Sequence, residues 1–454
     1  MIRLRFGLPL LAILLCLAPA TAQTILTYEE ALAWTLENHP LALTARAVED
    51  QGPAAALEAR GALDPKLNID YDRKDFKGTE YWDRGVAELS WQSPYALKVA
   101  GGYQRAEGAF LNEEYTYPAD GQAYLALKLP LLRGLLLDAT RIGLRRGELA
   151  VDRQRALADV IRNELRYDLT VRYLNWAYAE EVVDINENIV ETLEEYLDNT
   201  RSLYRQGDKP AVDTLEAAVY LGQQQQTVRQ AQVDAVLARQ LLAELYWPLA
   251  PTDEPLTPVL TLPVINGTDF LDGQPELREL ALQLADVNLQ RDLKREALKP
   301  ELTVGYYILG DGFGLPELPE SSPFTEAYKM ELTASYPIFN RKARGANQLA
   351  ELKIAETRAK LDAKRQSLET KAAAYAAAIA AYAEQAVNGA ELQQQARALR
   401  DAELELFRLG ESTLFLINAR TQSLLKAELN QVKLLFARGK AVATYRYVLG
   451  VGSW

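Results

Sequence analysis

PLALTARAVEDQGPAAALEARGALDPKLNIDY (residues 40–71) and PELRELALQLADVNLQRDLKREALKPELTVGY (residues 275–306) align without a gap. Pro40 falls on Pro275, Arg60 on Arg295, and Ala62-Leu63-Asp64-Pro65 on Ala297-Leu298-Lys299-Pro300. Leu67 then falls on Leu302 and Tyr71 on Tyr306. Farther along, Tyr204-Arg205-Gln206-Gly207 returns as Phe407-Arg408-Leu409-Gly410. A match of this length predicts two structural half-units related by internal duplication. Each half reads as a helix, strands and then two very long helices, a fold that is mainly α with β.

Six segments alternate with period two, the pattern of a strand whose faces meet different surroundings. Leu67, Ile69 and Tyr71 alternate with Asn68, Asp70 and Asp72; Ala87, Leu89 and Trp91 with Glu88, Ser90 and Gln92. Leu97, Val99 and Tyr103 oppose Lys98 and Gln104, and Ala123, Leu125, Leu127 and Leu129 oppose Gln122, Tyr124 and Lys128. The second half offers Leu302, Val304, Tyr306 and Ile308, then Met330, Leu332, Ala334 and Tyr336. Such strands suit a soluble sandwich or a lipid-facing barrel equally. Trp82, Trp91, Tyr115, Tyr117 and Tyr328 lie near strand ends, where an interfacial aromatic girdle would sit.

The flanking helices favour the barrel. No proline interrupts Asp138 to about Tyr204, or about Arg341 to Arg408. A continuous helix of that length reaches roughly 100 Å at 1.5 Å per residue and must lie along partner helices. Each turns at a glycine, Gly207 or Gly410, and a second helix returns, to about Trp247 and Leu449. Asp208 or Pro210, and Ser412, suit the starts of the returning helices. The run Ala372-Ala373-Ala374-Tyr375-Ala376-Ala377-Ala378 fits both close helix approach and simple helix propensity. Thr27-Tyr28-Glu29-Glu30 reads as a capping box opening a short helix.

Residues 1–22 have the form of a secretory signal: Arg3 and Arg5, an apolar run from Phe6 to Leu17, and Ala20-Thr21-Ala22 before a cleavage point. The expected organisation is signal 1–22, first repeat 23–247, proline-rich crossover 248–274 and second repeat 275–454. Cys16, the one cysteine, lies in the signal, so the mature chain would hold no disulfide, thiolate site or cysteine nucleophile. The formal charge of −12 grows by two when Arg3 and Arg5 leave, which disfavours nucleic acid. No segment beyond the signal is apolar enough for a spanning helix, so any membrane crossing uses strands. The single histidine, His39, precedes Pro40 and reads as a turn residue at a helix end. Without histidine partners or cysteine, nucleophilic triads and histidine metal sites are excluded, and neither cofactor nor enzyme activity is expected. Asp70, Asp72 and Glu88 outnumber Lys98 and Lys128 on the polar strand face, which predicts cation preference in a lumen.

Several motifs then occur in order. Leu26-Thr27-Tyr28-Glu29-Glu30-Ala31-Leu32 leads through Leu36-Glu37-Asn38-His39-Pro40. Leu129-Pro130-Leu131-Leu132-Arg133-Gly134 leaves the first strands, echoed by Tyr336-Pro337-Ile338-Phe339-Asn340. Aromatic-x-x-Gly turns follow, within Tyr204 to Ala217 and Phe407 to Ala419. The chain ends Leu449-Gly450-Val451-Gly452-Ser453-Trp454. On these residues the chain resembles the TolC-type outer-membrane efflux proteins over essentially its whole mature length.

The resemblance implies a homotrimer. Its antiparallel helical hairpins form a periplasmic α-barrel, continuous with a shared transmembrane β-barrel in outer-membrane lipid. It also implies work with a periplasmic adaptor protein and an inner-membrane pump, in efflux or type I secretion. Arg205, Gly207, Asp208, Arg408, Gly410 and Glu411, at the hairpin tips, are the expected adaptor-contact or gating residues. Two departures stand out. The family pattern has two strands per half, whereas the first half here offers four, either in a wider barrel or as an extra hairpin outside it. The second tip also reads one residue shorter than the first. The competing reading is a periplasmic coiled-coil adaptor, which needs one helical hairpin between small β domains.

Overall fold

The computed structural model describes residues 24–249, 256–258, 271–314 and 327–450. The expected signal segment, most of the proline-rich crossover and the ending beyond Gly450 lie outside the described residues. In chain order the elements are β1 (Thr24–Leu26), α1 (Tyr28–Asn38), α2 (Pro40–Arg60), β2 (Lys66–Phe76), β3 (Thr79–Gln92), β4 (Lys98–Glu107) and β5 (Gln122–Pro130). Then come α3 (Ala139–Gln206), α4 (Ala211–Ala243), β6 (Leu256–Pro258), α5 (Pro275–Glu296), β7 (Glu301–Leu309), β8 (Tyr328–Ser335), α6 (Arg341–Arg408) and α7 (Leu414–Leu449). The order α2–strands–α3–α4 recurs as α5–strands–α6–α7, and α3 and α6 are both 68 residues long.

Local chemistry explains the helix starts. The Thr27 hydroxyl accepts from the Glu30 N–H at 3.3 Å while a Glu30 carboxylate oxygen accepts from the Thr27 N–H at 3.1 Å, so the capping box closes both ways. Pro40 and Pro275 begin α2 and α5, where a missing N–H costs nothing. His39 does more than end a helix. Buried at the start of α2, its Nδ1 accepts from the Leu41 N–H at 3.2 Å. Gln274 caps α5 in the same way, accepting from the Leu277 N–H at 2.8 Å.

The chain forms two compact units, each drawing on both repeats. The first holds Met1–Trp34, Thr170–Leu262 and Asn388–Phe436. Here Trp176 and Tyr173 are wholly buried, and the Tyr173 hydroxyl donates to the Leu26 carbonyl at 2.9 Å. Tyr28 packs edge-on against Tyr173 and bonds Thr170 at 2.8 Å, fixing the start of α1. The crossover also supplies β6, which pairs in parallel with β1. Ile185, Ile189, Leu193 and Tyr196 of α3 meet Ile417, Leu425 and Val432 of α7 in the core of this unit.

The second unit, Thr35–Leu169, Pro263–Val387 and Ala437–Trp454, contains the sheet. All six expected strands form, in one antiparallel sheet of order β2-β3-β4-β5-β7-β8. Directly paired residues share a face. One row across the sheet is Leu67, Leu89, Gly101, Leu125, Ile308 and Tyr328; the next is Trp91, Val99, Leu127, Tyr306 and Met330. That face is apolar from edge to edge. Ile69 (71% exposed) and Leu332 (63%) lie on its two edge strands, and none of the described residues covers them.

The opposite face is polar, and its charges balance. Asp70, Asp72, Glu88, Glu301 and Glu331 share it with Lys66, Lys74, Arg84, Lys98, Lys128 and Lys329. Lys98 lies 3.9 Å from Glu88 and Lys128 lies 3.5 Å from Glu331. The acidic surplus expected from five residues vanishes when all six strands are counted. The aromatic girdle also needs correction. Trp91 and Tyr328 are on the apolar face, but the Trp82 indole donates to Asp72 at 3.0 Å on the polar face. Arg84 sits over both the Trp82 and Tyr115 rings, so Tyr115 turns to that side too.

α2 is held against α3 by Glu49, which accepts from Arg162 at 2.5 Å with Arg155 3.7 Å away. The Arg162 hydrogen bond lowers the Glu49 pKa below the ordinary value of 4.5, against a smaller opposing effect of burial. A depressed carboxylate stabilises the fold above its unfolded pKa and ceases to do so as pH falls through its folded one. Glu49→Gln is therefore expected to lower thermal stability at pH 7 by about 1 kcal/mol or less, as a half-exposed pair should. Melting curves of purified protein should show the gap between wild type and variant closing as pH falls below the ordinary glutamate range.

Candidate functional site

The two hairpin tips meet within the first unit. Gly207 follows α3 at φ +86° and Gly410 follows α6 at φ +78°. The Gly207 N–H donates to the Tyr204 carbonyl and the Asp208 N–H to the Leu203 carbonyl, both at 3.0 Å. The second tip repeats this, Gly410 to Phe407 at 3.0 Å and Glu411 to Leu406 at 2.9 Å. This paired closure satisfies the last helix carbonyls and needs a left-handed residue, which glycine adopts without strain. A Cβ at either glycine would touch nothing within 4 Å, so the constraint lies in the backbone alone.

The tips are equal in length, contrary to expectation. Residues 208–210 separate Gly207 from α4, and residues 411–413 separate Gly410 from α7. The cause lies in Ser412, which was expected to start the helix. Its hydroxyl instead donates to the buried Glu403 carboxylate. Thr413 takes the capping role, its Oγ1 accepting from the Leu416 N–H at 3.4 Å. At the first tip Pro210, with extended backbone, precedes α4.

Phe407 joins the two tips. It packs on Leu197, Ala217 and Leu414, and the Lys209 ammonium stands 5.5 Å from its ring centre. Around this joint, Arg205, Gly207, Asp208, Arg408, Gly410 and Glu411 are all exposed. Arg408 bonds Glu405 at 2.6 Å one turn back, a pair in water that contributes little. Among the described residues, Arg205, Asp208 and Glu411 form no ion pair within the chain. The site thus presents uncommitted charges of both signs on a fixed backbone.

Two features of the tips escaped the sequence reading. Leu409, Phe415, Val212 and Leu215 are exposed beside the charges, with Leu409 at 72%. The signal was available in the apolar residues flanking each turn. The second feature is the buried link of Glu403, which accepts from Ser412 and from Arg420 at 3.4 Å. No spacing rule connects those three positions. Deeper in the first unit, buried Gln224 donates to the Asn186 side-chain oxygen at 2.8 Å, fixing the register of α4 on α3. Among the described residues no group of histidine, cysteine and carboxylates is placed to hold a metal ion. No described helix is long and apolar enough to cross a membrane.

No family model matches the chain, and no curated protein does. Solved structures do match. The outer membrane protein VceC of Vibrio cholerae aligns with TM-score 0.68 and 14% identity, over 94% of this chain and 96% of that one. The Campylobacter jejuni CmeC outer membrane channel aligns with TM-score 0.66 and 13% identity, over 98% and 94%. The open-state MtrE outer membrane channel of Neisseria gonorrhoeae gives 0.67 and 16%, over 94% and 89%. The chain has the fold of an outer-membrane channel. The structures that share this channel fold are not enzymes. At such identities the likeness carries no residue-level role, so the tip residues rest on their own geometry.

Glu403→Gln removes the charge that Ser412 and Arg420 converge on, and is expected to loosen the second tip alone. Losing a buried charge-assisted bond costs about 1–3 kcal/mol, roughly a fivefold or greater rise in local opening. Amide hydrogen exchange should show that rise across residues 403–420, with residues 203–214 unchanged.

Proposed function

We propose that three copies of this chain form a channel-tunnel in the outer membrane, serving as the exit duct of a multicomponent efflux or type I secretion machine. The observation that carries this reading is the sheet. It has one continuous apolar face, one polar face and two open edges, β2 and β8. Lipid suits the apolar face and a wet lumen the polar one. The channel fold supports the same reading.

The helices support assembly by the same logic. α4 buries Ala217, Gln224, Val228, Ala231 and Ala235 within the chain. A second seam, Val212, Leu215, Val219, Gly222, Gln226, Arg229, Val233 and Val236, is spaced alternately three and four residues apart and is wholly exposed. On α6, Leu392, Gln395, Leu399, Ala402 and Leu406 repeat that spacing and that exposure, and Leu409 just beyond the helix continues it. Two heptad seams with no partner in their own chain are what neighbouring copies of a helical barrel would share. The duplication read from the sequence supplies four hairpin helices per copy. The tips, with their uncommitted charges and exposed Leu409 and Phe415, would dock the periplasmic adaptor, itself coupled to an inner-membrane pump. A coiled-coil adaptor needs one hairpin between small β domains; two hairpins and a single six-stranded sheet favour the duct. The mechanism is passage and gating, and needs neither cofactor nor nucleic acid.

Membrane fractionation tests the reading. The protein is expected in the outer membrane, migrating on a gel as a trimer that heat dissociates. A folded monomer in the soluble periplasmic fraction would overturn it. The tips have their own test. Gly207→Val with Gly410→Val forces a β-branched residue into left-handed backbone at about 1–3 kcal/mol each. Export should collapse while the heat-sensitive trimer persists; unchanged export would remove the tips from the mechanism.

A further inference from the structure

We propose that β3 and β4 are a membrane-spanning insertion into the repeated frame, so that each copy gives the barrel wall six strands and the exit is wider than the frame alone would make it. This rests on the outer-membrane reading above and extends it to the size of the pore.

The frame is read from correspondences within the chain. β2 and β7 follow the aligned helices α2 and α5, with Leu67 on Leu302. β5 and β8 each run through a proline-bearing bend into a 68-residue helix. β2 therefore corresponds to β7 and β5 to β8, which leaves β3 and β4 without counterparts.

These two strands are not a flap. They lie between β2 and β5, hydrogen-bonded on both sides. At 14 and 10 residues they are at least as long as β5, β7 and β8, with 9, 9 and 8. About 9–11 residues suffice to span a bilayer as a tilted strand. Their apolar residues continue the frame's outer rows: Leu89 sits between Leu67 and Gly101, and Val99 between Trp91 and Leu127. Leu89 and Trp91 are exposed, as Ile69 and Leu332 are on the edge strands. The polar face is continuous too, since the Tyr124 hydroxyl of β5 donates to Glu88 of β3 at 2.8 Å.

The turns agree. β3 and β4 join through residues 93–97 at the end of the sheet where α2, α3, α5 and α6 attach, closed by the Ser93 N–H on the Leu97 carbonyl at 2.8 Å. The long connection 108–121 lies at the other end, together with the two-residue turn between β2 and β3. Outer-membrane barrels place short turns on the periplasmic side and long loops outside.

The occupant of both edges is a second copy of the chain. β2 runs away from the helices and β8 runs back toward them, so β8 of one copy meets β2 of the next antiparallel. Three copies then close eighteen strands where the frame alone gives twelve. Barrel diameter grows roughly in proportion to strand number, so the exit is about half again as wide, in the range of barrels that leave an open aqueous channel. The wall would then admit bulky cargo, and sieving by size would fall to the helical part.

The test places single cysteines in a Cys16→Ser background, at Leu89 and Val99 on the insertion and at Ile69 and Leu332 on the frame. Each is labelled with an environment-sensitive fluorophore in vesicles whose lipid chains carry bromine. Quenching at all four positions to a similar extent is expected. Quenching of Ile69 and Leu332 without Leu89 and Val99 would place the hairpin outside the wall and overturn the inference, leaving the barrel reading intact. Quenching at none would sink the barrel reading itself. Trp91→Cys and Tyr103→Cys, on the same strands and face, serve if either insertion variant fails to assemble.

Discussion

Backbone N–H and C=O groups cannot be left unpaired in hydrocarbon, where each costs several kcal/mol. In the outer-membrane reading proposed above, that constraint falls on the two edges of the sheet. β2 and β8 each offer a free row of such groups, and between them runs a face of leucine, isoleucine, valine and aromatic residues. Soluble proteins blunt such edges with bulges, prolines or outward charges. On β2 Leu67, Ile69 and Tyr71 carry no charge on that face until Arg73, near the turn end, meets Asp83, and on β8 Tyr328, Met330 and Leu332 occupy it. In the trimer proposed above, copies of the chain would pair these edges.

The helices obey a parallel rule in water. α4 carries two heptad seams, one buried on its own α3 and one exposed, and α6 presents another. An exposed apolar seam in water costs roughly 25 cal/mol per Å² that could be covered, so association of these faces is favourable wherever the sheet edges already bring copies together. The alanine run of α6 fits this picture. Ala372 packs against the core cluster of Leu277, Leu368 and Val448. The other small side chains stand mostly exposed, where they permit close approach and favour the helix at once.

Much of this was legible in the sequence because period carries it. Strand alternation located all six strands, and the glycines at 207 and 410 located both tips, since a left-handed closing residue leaves a chemical mark. The capping box at Thr27 was legible for the same reason: both partners lie three residues apart. What escaped were contacts across long separations. Trp82 alternates like its neighbours, but only strand register shows that it faces Asp72 rather than lipid. Ser412 has the chemistry of a cap, yet a buried Glu403 nine residues earlier claims its hydroxyl and passes the cap to Thr413. The pairing of β1 with β6 joins segments more than two hundred residues apart, and no local pattern announces it. The charge balance was missed because Lys66, Lys74 and Arg84 lie outside the alternating stretches, and the strand register puts them on the polar face.

The same constraint explains why the sheet grew as it did. A single added strand would reverse polarity, bringing β5 to the wrong end of the sheet for entry into α3. A hairpin adds one strand out and one back, so the chain re-enters the frame where it left it. The two added strands must also keep the face alternation, which the registers Leu67–Leu89, Leu89–Gly101 and Gly101–Leu125 do without slip. An even insertion, in phase, is the cheapest change that widens a shared wall without altering either edge. Because β2 and β8 keep their directions and faces, the junction between copies need not change when the wall gains strands.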